Sequence, residues 1–252
     1  MNRRRLVVGS LATALASRHG ARATAQSTPQ ADEAIPVVTV TTPVVLEDGI
    51  IVDHYRVVRS PLDGDAVVLG SITNARDETV AIPAFDFDVS VRDQDRVILG
   101  STVPTLVYPA AAPGQSIGFV AWFTEVSYDL VDPATVRFDL GPFSADDPIL
   151  DQLAEATIEI ESEEVISRTD DLQIEYVVRN TSDLEYSGLI PRIAVWDADW
   201  LFCGYAYASV LTALPPGDAI RFETHSNAGF INPLDIAGDD FTLEPWIVAS
   251  VA

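Results

Sequence analysis

Val67-Val68-Leu69-Gly70-Ser71-Ile72-Thr73-Asn74 and Gln173-Ile174-Glu175-Tyr176-Val177-Val178-Arg179-Asn180 are the two stretches that decide the fold. Each is rich in apolar residues and ends at an asparagine, with an aspartate three residues on, Asp77 and Asp183. Such a run reads as a strand, and its polar end reads as a turn, because Asn and Asp side chains bond their own backbone there. Next come Val89-Ser90-Val91-Arg92-Asp93 and Ile193-Ala194-Val195-Trp196-Asp197, each closing on Asp and reaching a glycine seven residues later, Gly100 and Gly204. A period of two predicts half-buried strands, and the short acidic segment after each predicts a hairpin. Pro113-Gly114 and Pro216-Gly217 then precede strands containing Phe119 and Phe222. The offset drifts from 106 at the Asn to 104 at the Asp and Gly and 103 at Pro-Gly, as small loop deletions would make it. Four landmarks in the same order define an internal repeat.

The chain has 252 residues, of which 48% are hydrophobic, enough apolar material for packed cores. A unit of about 100 residues can fold alone. The repeat therefore predicts two β-sandwich domains, 35–145 and 156–252, joined by a linker at 146–155. No long helical period interrupts them, so the predicted class is all-β.

The charge is strongly acidic. Fifteen arginines and no lysine stand against 38 acidic residues, for a net charge of −23. Arg3, Arg4, Arg5, Arg18 and Arg22 precede residue 26, and no acidic residue does. Beyond that segment ten arginines remain, and the net charge falls to −28. Such a surface repels phosphate backbones and anionic lipid, which argues against nucleic acid and peripheral membrane partners. Residues 1–25 read as a signal peptide: Arg3-Arg4-Arg5 leads into the apolar stretch Leu6 to Ala16, and Ala23-Thr24-Ala25 offers a small-residue cleavage site. The arginine pair followed by Leu and Val resembles a twin-arginine export signal. Residues 26–34 are polar and read as a flexible tether. No later stretch approaches the roughly 20 apolar residues of a membrane span. The expected location is across the cytoplasmic membrane: secreted, periplasmic or cell-wall associated.

With the repeat established, each copy resembles the FxLYD-type domain, an immunoglobulin-like antiparallel β-sandwich of extracytoplasmic proteins. Its Phe-x-Leu-Tyr-Asp motif corresponds to Val89 to Asp93 and to Ile193 to Asp197; the Asp is kept literally and an aromatic survives as Trp196. The resemblance covers about residues 50–140 and 156–252. It implies a fold and no common enzymatic activity.

No catalytic site is read in the sequence. His54 and His225, the histidines after residue 25, lie in no metal spacing, and neither a nucleophile elbow nor a Gly-rich phosphate loop is read. The prediction is a non-enzyme without cofactor. Cys203 aligns with Leu99 and reads as a core residue, since buried free cysteine behaves as a small hydrophobe. Asp93 and Asp95, and equivalently Asp197 and Asp199, sit in the hairpins, while Asp239 and Asp240 precede the last strand. These carboxylates read as solvated turns or, at Asp197 and Asp199, as part of a calcium site; calcium needs six to eight oxygens, and a D-x-D pair supplies only a few. The sharpest contrast is between copies: Arg92 and Arg96 become Trp196 and Trp200. Those positions face away from the inward residues Val89, Val91, Ile193 and Val195, towards solvent or a neighbour. An exposed Trp pair wastes apolar area unless something covers it. Either it packs within the protein, against the other domain or the last strand with Trp246, or Trp196, Trp200, Tyr205 and Tyr207 form a surface for an envelope protein or a glycan. The expected function is a non-catalytic binding or structural module of the cell envelope. A calcium-dependent adhesive or scaffold module and a hydrolase with an unreadable site are the alternatives.

Overall fold

The computed structural model describes residues 38–47, 49–60, 62–82, 86–141, 150, 158–167, 172–226 and 241–251. The segments read as a signal peptide (1–25), a tether (26–34) and, except for Leu150, a linker (146–155) lie outside the described residues, as do Asp239 and Asp240. The described fold is all-β, as the alternation predicts. In the first half the strands are β1 (Val38–Val40), β2 (Val44–Glu47), β3 (Ile50–Arg59), β4 (Asp65–Asn74), β5 (Val80–Ala81), β6 (Phe87–Arg92), β7 (Ile98–Thr102), β8 (Thr105–Leu106), β9 (Ala110–Ala111), β10 (Ser116–Ser127) and β11 (Arg137–Leu140). The second half contributes β12 (Ile158–Ser167), β13 (Gln173–Asn180), β14 (Tyr186–Asp197), β15 (Phe202–Tyr207), β16 (Ala219–Ser226) and β17 (Phe241–Val251).

Every ladder is antiparallel. The first half holds a sheet ordered β1-β3-β4-β10-β8, with β2 on β3, and a three-stranded sheet β11-β6-β7. The second half forms one sheet, β12-β13-β16-β15-β14-β17. Strand order thus recurs: β3-β4-β10 corresponds to β12-β13-β16, and β11-β6-β7 to β17-β14-β15. The difference is that β15 and β16 pair directly, Ala206 with Ser226 and Tyr207 with His225, which fuses the second half's two sheets.

The repeated turn residues occupy repeated geometry. Asn74 Nδ2 donates to the carbonyls of Glu78 and Ala111, and its Oδ1 accepts from Arg76 N–H. Asn180 Nδ2 donates to Leu184 and Leu214 carbonyls, and its Oδ1 accepts from Ser182 N–H. Both asparagines are fully buried. Each satisfies loop groups that would otherwise be orphaned in the interior, so the side chain read as a turn former is also a polar plug.

Strand β4 is buried along nearly its whole length, from Ala66 to Ile72. A continuous apolar run needs cover on both faces. Inside the first half, Gly70 lies against the ring of Phe119, which makes edge contacts with Phe87 and Phe138. The opposite face of β3-β4-β10 carries His54, Arg56, Ser71 and Gly118, and the second half seats on it. The seat is tight: a Cβ at Gly118 would stand 2.2 Å from the Phe202 ring.

Candidate functional site

The β14–β15 hairpin carries the residues singled out above, and its shape follows from Asp197. The Asp197 N–H donates to Leu201 O and its carbonyl accepts from Trp200 N–H, both at 3.0 Å. Its Oδ1 accepts from Asp199 N–H and Leu201 N–H, each at 2.9 Å. A three-residue loop of this kind places one residue in left-handed conformation, and here that residue is Trp200, φ 58°. The first half repeats the device at Asp93, with Arg96 at φ 65°.

Trp196 is not on the surface. It is 2% exposed, packs edge-on to Phe202, and its Nε1 donates to Glu244 Oε2 at 3.0 Å. Tyr205 is buried as well. Of the two readings of these aromatic residues, Trp196 and Tyr205 follow the packed one, while Trp200, 63% exposed, and Tyr207, 45% exposed, remain open. Trp196 is closed in by Trp200, Phe202 and Glu244 of its own half, and the face around it meets the first half. Arg192 Nη1 donates to Leu106 O, Tyr108 packs on Trp246 with ring centroids 4.5 Å apart, and Phe202 occupies the space over Gly118. Burial pushes the Tyr108 hydroxyl up to about 12 and raises the Glu244 carboxyl despite its bonds from Trp196 and Trp246.

Polar groups pin the same interface. Asp197 Oδ2 pairs with Arg56 Nη2 at 2.5 Å, where Arg56 is only 5% exposed. Cys203, fully buried as its alignment with Leu99 predicts, lies 3.7 Å from Arg56 Nη2 and donates to Leu201 O. His54 Nε2 accepts from Phe202 N–H at 2.9 Å. Burial, and then the Arg56 charge, lower the His54 pKa to about 4, with Asp197 pulling the other way. The imidazole is therefore neutral, and its remaining proton sits on Nδ1, facing Ser71 Oγ at 3.2 Å. A histidine that donates to serine cannot take the serine's proton; Ser71 holds the ring while His54 joins the halves through the bond from Phe202 N–H.

The carboxylate of Asp197 already accepts two backbone N–H groups and an arginine, which leaves it poorly placed as a calcium ligand. Among the described residues no group of three or more His, Cys, Asp or Glu side chains is gathered to hold a metal. Gly114-Gln115-Ser116-Ile117-Gly118 does spell Gly-x-Ser-x-Gly, a match the sequence reading passed over. An elbow needs a strand-to-helix turn, whereas Ser116 opens β10, and its Oγ lies 2.5 Å from Thr73 Oγ1, which bonds Asp53. Among the described residues no helix is long and apolar enough to cross a membrane.

No protein-family model matches the chain, and no curated protein does. Among solved structures it is similar to a β-glucuronidase of glycoside hydrolase family 2, at 12% identity over 69% of this chain and 21% of that one, TM-score 0.21. The Bacteroides uniformis β-glucuronidase gives 10% identity over 81% and 26%, TM-score 0.24. The Momordica charantia 7S globulin gives 10% over 82% and 80%, TM-score 0.21. The chain spans about a quarter or less of the two glucuronidases, and likenesses this distant carry no argument about activity.

Proposed function

We propose that the chain is a non-catalytic extracytoplasmic module of the cell envelope, built from two FxLYD-type immunoglobulin-like sandwich units and exported after loss of residues 1–25. It binds an envelope protein or glycan through the tip of the β14–β15 hairpin. Trp200 carries this reading. Its indole is largely solvated, and its backbone is left-handed, a conformation glycine would adopt at lower cost. Its ring rests against Trp196, with centroids 6.3 Å apart, and the rest of it, on the solvent side, is the surface offered to a partner. Tyr207 lies at the far end of β15, roughly 20 Å away at about 3.3 Å per residue, and serves as the second contact for an extended partner.

The test is retention of an envelope or cell-wall component on immobilised wild type, Trp200→Ala, Tyr207→Ala and the double variant. Wild-type retention that falls with Trp200→Ala, at an unchanged melting midpoint, supports the reading. Equal retention by all four chains overturns it.

A further inference from the structure

Nine arginines lie among the described residues, and four of them meet a carboxylate: Arg56, Arg76, Arg179 and Arg221. Three others gather in one place. Arg92, at the end of β6, Arg96, in the hairpin, and Arg137, at the start of β11, line a hollow of about 310 Å³ on the outer side of the β11-β6-β7 sheet. None of the three has a salt bridge among the described residues. Among the described residues the only hydrogen bond from their guanidinium groups is the long one from Arg92 Nη1 to Arg96 O, at 3.4 Å. Arg92 Nε is buried without any hydrogen-bond partner. Asp139 is the one carboxylate in the lining.

In a chain this acidic, arginines have carboxylates to choose from, and the others mostly take them. Three cations around one hollow repel each other, and a buried N–H without an acceptor costs free energy. An anion in the hollow removes both penalties at once. Arginine forks match oxyanions geometrically, and three of them offer more positive charge than a single carboxylate neutralises. We propose that Arg92, Arg96 and Arg137 form a binding site for a dianionic oxyanion group, phosphate or sulfate, either free or as an ester on a larger molecule. The surrounding negative charge makes the site selective: a polyanion such as a nucleic acid meets repulsion on all sides, while a compact dianion fits inside the hollow. The site lies on the first half and does not depend on the Trp200 contact.

Calorimetric titration of the full chain at low ionic strength with inorganic phosphate, inorganic sulfate and glycerol 3-phosphate tests this. Saturable binding of at least one probe is expected, weakened about tenfold or more in Arg92→Gln/Arg137→Gln and unchanged in Arg221→Gln, whose arginine pairs with Glu175 elsewhere. Tighter binding of glycerol 3-phosphate than of the free ions assigns the site to an ester; the reverse assigns it to the ion. Should the double variant not fold, Arg96→Gln/Arg137→Gln alters two exposed side chains instead. No saturable binding by wild type, or equal binding by all variants, overturns the proposal.

Discussion

The outer face of β11-β6-β7 and the outer face of β17-β14-β15 are the same surface in two halves of one chain. Register makes the comparison exact residue by residue. Ser90 pairs with Arg137 and Ala194 pairs with Glu244, so Arg92, Arg96 and Arg137 stand where Trp196, Trp200 and Glu244 stand. In the second half the face is docked on the first half: the tryptophan is buried, and glutamate satisfies its one donor. In the first half the face is open and carries charge. What covers a sheet face decides which side chains it holds, even when the backbone is the same.

The largest expected effect comes from the paired hairpin aspartates. Asp197→Ala removes two bonds to backbone N–H groups and leaves Arg56 buried without its carboxylate, a loss of about 3–5 kcal/mol. Asp93→Ala removes one such bond at an open site and costs about 1 kcal/mol. Chemical denaturation of both variants measures the gap, and equal losses would break the idea that the halves differ through their docking. Gly118→Ala thrusts a methyl into the Phe202 ring and costs about 3 kcal/mol, at the upper end for overpacking; a thermal midpoint near wild type would mean the halves are not seated there.

His54 gives a pH signature. Its folded pKa, about 4, lies below the unfolded value of 6.5, so its contribution is complete above pH 6.5 and is lost as pH falls towards 4. A shift of that size is worth roughly 3 kcal/mol, less after allowance for solvent screening. Glu163 and Glu244, both raised chiefly by burial, act in the opposite sense, favouring the fold where they are protonated. Comparing melting midpoints of wild type and His54→Gln between pH 7 and pH 4.5 isolates the histidine: the wild-type slope should flatten in the variant. The smallest effect concerns the left-handed residues. Arg96→Gly should stabilise by about 0.5–1 kcal/mol, since glycine tolerates φ near 60° without a Cβ penalty, and Trp200→Gly by less, because it also gives up the ring contact with Trp196. Destabilisation by Trp200→Gly alone would show that the Trp196–Trp200 ring contact outweighs the backbone gain.

The strands were legible because alternation, Asn, Asp and Pro-Gly are local signals. Asn74 and Asn180 announced turns, although their burial beneath loops ending at Ala111 and Leu214 could not be read from neighbours in sequence. Trp196 was legible as a side chain facing away from its own core, but not as covered, because Glu244, which takes its indole N–H, lies 48 residues on and reaches it only through the β14–β17 register. The Arg56–Asp197 pair joins residues 141 apart, and no motif spans such a distance. The arginine hollow is half legible: Arg92 and Arg96 flank one hairpin in sequence, while Arg137 joins them only through the β6–β11 register.

Among the described residues strand β12 ends one side of the second half's sheet, and it carries Glu159, Glu161, Glu163 and Glu164 along with two register breaks. Glu163 takes a bond from Tyr176 and Glu161 pairs with Arg179. An unpaired sheet edge is a template on which a further chain can add. On this one an incoming identical strand would bring its own four glutamates alongside, and the kinks would spoil its ladder. The edge that could nucleate aggregation is thereby made self-excluding.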